Sequence, residues 1–373
     1  MRELTENRTI TSTEARDHII RTAINKKRPV FLWGPPGIGK SELVADIGEQ
    51  LGNSHVIDLR MALMDPTDIR GVGFYNPSSN TMDWAPPVDL PSAEVAGQYE
   101  HIILFLDEMN SAPPAVQAAA YQLVLNRRVG QYVLPDNVSI IAAGNRETDK
   151  GVTYRMPSPL ANRFVHFEMR VDFDSWLEWA VQNNITSSVV GYLSQYKVDL
   201  FDFDPTGSSR SFATPRSWTF VSEQLEGENL TEKQITDILA GTVGEGIAHK
   251  FLGHIKWADK LPDTMDILIG NETKLKVDEI SAQYTLMVNL CYQLKELHND
   301  VSTSNDRKES GDKWHVYVDN MLRFIMDNLG TELVIMGMRT AVMTYRLPIV
   351  ATKCKNWNEF HDRYGKYITA AAS

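Results

Sequence analysis

The chain has 373 residues, 43% apolar and 23% charged, which is enough for two or three domains with sizeable cores and argues against widespread disorder. A formal net charge of −11 excludes an overall basic nucleic-acid coat, though not a local basic patch. Cys291 and Cys354 are far apart and lack metal-type spacing, no apolar run approaches membrane-spanning length, and Met1 to Thr13 lacks the apolar core of a secretion signal. A cytoplasmic protein with reduced thiols and no membrane contact is therefore expected.

Residues 14 to 27 have the spacing of a short amphipathic helix. Pro29-Val30-Phe31-Leu32-Trp33 is a short apolar run that predicts a buried parallel strand. Directly after it stand Gly34, Pro35, Pro36, Gly37, Ile38, Gly39, Lys40 and Ser41, a complete G-x-x-x-x-G-K-[ST] loop. Glycines let such a backbone wrap a phosphate chain with its N–H groups turned inward. Lys40 supplies a point charge for the outer phosphates, and the Ser41 hydroxyl suits Mg²⁺. Leu43, Val44, Ile47 and Leu51 then follow helical spacing, so a helix N-terminus adds its positive end to the site. Strand, glycine loop and helix in that order form the context that gives the motif its meaning.

Residues 56 to 59 read as a second strand. Gly71 to Pro91 is rich in Gly, Pro and Asn, carries Phe74, Tyr75 and Trp84, and reads as a hairpin or long loop. His101 to Leu106 is an apolar run that ends abruptly in Asp107 and Glu108. At the carboxyl edge of a parallel sheet, that pair fits Mg²⁺ binding through water by Asp107 and water activation by Glu108. A helix N-cap is the plainer account of the same two residues. Arg127-Arg128-Val129-Gly130-Gln131-Tyr132 reads first as a solvated turn and second as a basic, aromatic contact for a polynucleotide. Val138 to Ala143 predicts a third strand, followed by Gly144 and Asn145. Asn145 either holds the lytic water or simply forms the turn.

After Val171 the apolar spacing is helical, with no clear strand. Ile280 to Leu297 marks one long amphipathic helix, Asn299 to Asp312 reads as a mobile polar loop, and Met321 to Met343 returns to a methionine-rich helical pattern that serves a core better than a partner. His249 and His254 lack metal-ligand spacing and read as structural.

The order of Gly34 to Ser41, then Leu104-Phe105-Leu106-Asp107-Glu108, then Ala142-Ala143-Gly144-Asn145 resembles an AAA+ ATPase. Met64 to Gly71, and Gly151 to Pro157 with Leu160-Ala161-Asn162-Arg163-Phe164, resemble blocks of its MoxR and dynein-related (AAA_5) branch, which includes the McrB-type and chelatase-type motors. The resemblance covers roughly residues 10 to 255. It implies an α/β fold, a P-loop NTPase parallel-sheet sandwich over 1–170, a helical lid over 171–255 and an additional helical region over 256–373. It implies that Gly34 through Ser41, with Glu42 and Arg216, surround ATP, that Ser41 and Asp107 hold Mg²⁺, and that Glu108 activates water. By the same likeness Asn145 is sensor 1, Arg216 is sensor 2, and Arg163 is the arginine finger acting on a neighbouring subunit. Asn162 stands where the family usually has Asp, and Arg146 and Arg155 are alternative fingers. Phe74 and Tyr75 would face a central pore, and Arg127 and Arg128 a second pore hairpin.

The activity so implied is that of a homo-oligomeric ring, a hexamer in the family, that hydrolyses ATP to remodel a protein client, often with a separate von Willebrand factor A-type adaptor. An alternative is a McrB-like motor on DNA, against which the acidic balance and the lack of a recognisable DNA-reading domain both weigh. A nucleotide-gated scaffold that scarcely turns over is the third reading, and the intact Asp107-Glu108 pair argues against it.

Overall fold

The computed structural model describes residues 8–149, 151, 153–226, 230–303 and 307–369. They divide into two compact units. One holds the residues up to Ser175 with Asp204–Gly207; the other holds Trp176–Phe203 and the residues from Ser208 on.

The first unit is built on a parallel sheet. Its strands in chain order are β1 (Thr9–Ile10), β2 (Val30–Trp33), β3 (Ser54–Arg60), β6 (His101–Asp107), β9 (Val138–Gly144) and β10 (Val165–Met169), with β4 (Val72–Asn76) and β5 (Thr81–Ala85), and β7 (Arg128–Val129) and β8 (Tyr132–Val133), forming two separate hairpins. Spatial order in the sheet is β1-β10-β2-β9-β6-β3. Every residue of β9 is buried, as are Ile102 to Leu106 of β6 and Val30 to Leu32 of β2. Strands covered on both faces need apolar residues at consecutive positions, so the runs seen in the sequence are what this topology demands.

Among the described residues its helices are α1 (Ser12–Ile19), α2 (Lys40–Leu51), α3 (Pro66–Arg70), α4 (Ala93–Ala96), α5 (Pro114–Asn126) and α6 (Ser158–Ala161). Thr11 opens α1 with a capping box completed by Glu14, worth about 1 kcal/mol. The helix predicted over 14–27 starts earlier and changes to a π-helical turn over Ile20–Ile24. The Gly71–Pro91 stretch is the β4–β5 hairpin, with Phe74 opposite Asp83 and Tyr75 opposite Met82.

The second unit is helical, and among the described residues no strand follows Met169. It opens within α7 (Phe173–Gln182) and continues with α8 (Ser187–Gln195), α9 (Pro215–Leu225), α10 (Glu232–Val243), α11 (Glu245–Ala258), α12 (Thr264–Leu268), α13 (Ile280–Thr303), α14 (Arg307–Asn328), α15 (Thr331–Arg339) and α16 (Trp357–Thr369). Helices α8 and α13 cross closely at Gly191, where a Cβ would overlap Thr285 Oγ1. The described residues of the 299–312 stretch are helical and not a loop. Helices α13 and α14 run through it on both sides of residues 304–306, which lie outside the described set. Met321 to Met343 is two helices and a π-helical turn, with Met321, Met326 and Met338 buried and Met343 exposed. No helix among the described residues is long and apolar enough to cross a membrane.

Candidate functional site

The site lies at the carboxyl edge of the sheet, where register brings three strand ends together. Trp33 pairs with Gly144, and Leu106 with Ala142, so Gly34, Asn145 and Asp107 leave their strands side by side. Strand β2 has β9 on one flank and β10 on the other, and the chain goes from β2 to β3 at the far edge. This is the kind of crossover that opens a crevice at strand ends.

The loop between β2 and α2 takes its shape from its glycines. Gly37 and Gly39 have φ of 76° and 88°, which side-chain-bearing residues rarely adopt. Gly39 is the N-cap of α2, so the helix begins at Lys40 and presents its first N–H groups to the loop. Lys40 is buried, and its Nζ donates to Gly34 O at 2.8 Å, Pro35 O at 2.9 Å and Asn145 Oδ1 at 3.1 Å. Ser41 Oγ donates to Asp107 Oδ2 at 3.0 Å. Hydroxyl and carboxylate oxygens at that spacing form a hard donor set, which fits Mg²⁺. Asp58, on β3, has its carboxyl raised by burial and then by the charge of Asp107, so this corner of the site is already rich in negative potential.

Glu108 is exposed beside Asp107 and has a left-handed backbone, φ 53° and ψ 34°; its N–H donates to Asp107 Oδ1 at 2.9 Å. A glutamate in that conformation costs about 1–2 kcal/mol, which its surroundings offset. Glu108 caps a short 3₁₀ turn, Met109–Ser111, and is not the N-cap of an α-helix.

Asn110, in that turn, is a residue that motif reading passed over. It is buried, and its Nδ2 donates to Asn145 O at 2.7 Å. An Asn two positions beyond the acidic pair was the available signal, but its partner is apparent only once β6 and β9 are neighbours.

The candidate arginines fall in different settings. Arg146 is committed within its own chain, 2.8 Å from Asp149 and 3.4 Å from Glu168, which raises its pKa through the bond to Asp149. Arg163, just after α6, and Arg155 are exposed, with no side-chain hydrogen bond or ion pair among the described residues. Val152, in the stretch leading to Arg155, lies outside those residues. Arg216 is exposed at the second residue of α9 in the helical unit, on a helix opened by a Thr214–Ser217 capping box. Arg127 is half-buried and donates to Pro135 O and Val138 O, both at 2.8 Å, so it braces the β7–β8 turn and does not join Arg128 in a basic contact surface.

Beside the loop, Trp33 Nε1 donates to His166 Nδ1 at 2.9 Å, and His166 Nε2 lies 2.8 Å from Ala161 O, which sets the Nε2–H tautomer. Trp33 and His166 line a cleft of about 560 Å³ that also reaches Arg8, Ile10 and Glu168.

A parallel sheet with helices and a glycine loop that grips its own lysine define a P-loop nucleoside-triphosphatase fold. Comparison with known proteins narrows the class. Residues 29–164 match the AAA domain of the dynein-related subfamily. Over 185 residues the chain is 28% identical to Midasin of Giardia intestinalis, a match covering 48% of this chain and 4% of that much longer protein. Over residues 29–164 the chain is thus similar to AAA+ ATPases of the dynein-related branch. Among solved structures it resembles the Thermotoga maritima RuvB Holliday junction branch migration motor at 17% identity, over 69% of this chain and 74% of that one. The TM-score there is 0.34, too loose to bear on function.

Proposed function

We propose that this chain is a MoxR-like, ring-forming ATPase that hydrolyses Mg·ATP to remodel a protein partner. The observation that carries the reading is the convergence of Lys40, Ser41, Asp107 and Asn145 within hydrogen-bond reach at one sheet edge. Phosphates would lie in the loop Gly34–Ser41 against the N-terminus of α2, where backbone N–H groups and Lys40 neutralise them. Glu42, in the first turn of α2, borders that cradle. When bound by Ser41 and Asp107, Mg²⁺ would supply charge on the outer phosphate oxygens. Asn145 orients the attacking water and Glu108 accepts its proton. Arg163 serves the site of the next subunit, where a guanidinium stabilises charge on the transferring phosphoryl group. Arg216 acts from the lid. The client is a protein held at the β4–β5 hairpin, with an adaptor encoded elsewhere.

The test is Glu108→Gln. Turnover should fall by ~100-fold or more while Mg·ATP binding persists, since a general base contributes 10²–10⁴-fold. Retained turnover would remove Glu108 from its role. Strong stimulation of the wild-type chain by DNA would favour the McrB-like alternative over a protein client.

A further inference from the structure

We propose that Asn110 is a positioning residue that sets the water-orienting Asn145 through its backbone; the proposal rests on the nucleotide-hydrolysing reading above. Three contacts meet at Asn110. Its Nδ2 donates to Asn145 O at 2.7 Å. Its own carbonyl accepts the N–H of Tyr154 at 2.6 Å, which ties the turn to the segment leading into α6 and Arg163. Its carboxamide packs close against Gly144, where a Cβ would overlap Oδ1 and stand 3.0 Å from Phe31 Cζ.

The position of Asn110 explains what these contacts do. It sits two residues after Glu108 on a 3₁₀ turn, with 2% of its surface exposed. Asn145 leaves β9 with its side chain 3.1 Å from Lys40 Nζ and its carbonyl fixed by Asn110. The carbonyl bond therefore determines how the Asn145 plane rotates relative to the loop lysine and Glu108. Gly144 lacks positive φ, so its need for glycine comes from the room that the Asn110 carboxamide occupies, not from backbone strain. Removing the Asn110 amide frees the strand end to turn, and a misplacement of about 1 Å in a reacting group costs on the order of 10²-fold in rate.

The experiment measures kcat, KM and the Kd for Mg·ATP on the full chain for N110A, G144A, N145A and the double variant N110A/N145A. G144A reaches the same carboxamide without altering it, so the reading survives if N110A does not fold. N110A and G144A should each lower kcat roughly 10- to 100-fold and leave the Kd within about twofold. The double variant should be no slower than N145A alone, because Asn110 acts through that residue. Wild-type kcat in N110A overturns the proposal, as does a double variant whose losses multiply or a loss of nucleotide affinity that matches the loss of kcat. If the wild-type chain itself shows no ATP turnover, the ATPase reading fails as well. Wild-type turnover with an unaffected N110A sinks the positioning role alone.

Discussion

Lys40 is buried because the loop wraps it, and its ammonium is satisfied by two loop carbonyls and the Asn145 side chain. Its type and spacing were legible from sequence because a phosphate cradle is a local object, built within eight consecutive residues. Asn110 was not legible in that way, since its partner lies 35 residues on and meets it only through strand order. His254 is a second case in which environment decides. It is buried, with Nε2 2.9 Å from Ser188 O and 3.1 Å from Thr285 Oγ1, which bears out its reading as structural. Burial pushes its imidazole down to about 4, outweighing the bond to Ser188 that pulls it up. The unfolded chain then binds a proton between its ordinary 6.5 and about 4 that the folded chain refuses. Stability contributed by this site is complete above pH 6.5 and falls as pH drops through that window, by about 3 kcal/mol in all. Urea unfolding of His254→Gln should show a shallower loss between pH 7 and pH 4.5 than the wild-type chain. An unchanged acid slope would assign that slope to other groups.

Among the elements, the β4–β5 hairpin carries apolar side chains where solvent reaches them. Phe74 is 50% exposed, and the facing pair Tyr75 and Met82 are 61% and 63% exposed. Its base is fixed: Trp84 lies under the Arg70 guanidinium at 5.5 Å and against Gly130 of the neighbouring hairpin. A fixed base with exposed apolar residues along its strands suits repeated contact with a client. The Phe74→Ala, Tyr75→Ala double variant should reduce partner-stimulated ATP turnover several-fold, and unchanged stimulation would end the gripping role. The hairpin was readable from its Gly, Pro and Asn content. The helices over 299–312 were not, because α13 and α14 extend there with polar side chains in place of the apolar stripe that marks packed helices. The Arg127-Arg128 doublet was ambiguous for a related reason. Arg127 closes α5 with a left-handed backbone while Arg128 opens β7, and composition does not say which arginine turns inward.

On the scale of the whole molecule, the sheet sandwich and the helical unit were both foreseen from where apolar runs give way to helical spacing. The lid over 171–255 and the separate region over 256–373 remain a functional proposal, since the helices of both stretches belong to one compact unit. Arg163 is exposed, as a finger acting on another subunit has to be, and the net charge of −11 fits a protein client better than a nucleic acid. All of this depends on a triphosphate occupying the loop. The most direct measurement is equilibrium binding of Mg·ATP to the purified full chain and to its Lys40→Ala variant. The account predicts saturable binding by the wild-type chain and a loss of at least about tenfold in affinity for Lys40→Ala, the effect of deleting a charged phosphate partner worth ~1.5–3 kcal/mol. No binding by the wild-type chain, or equal affinity in the two, would contradict it.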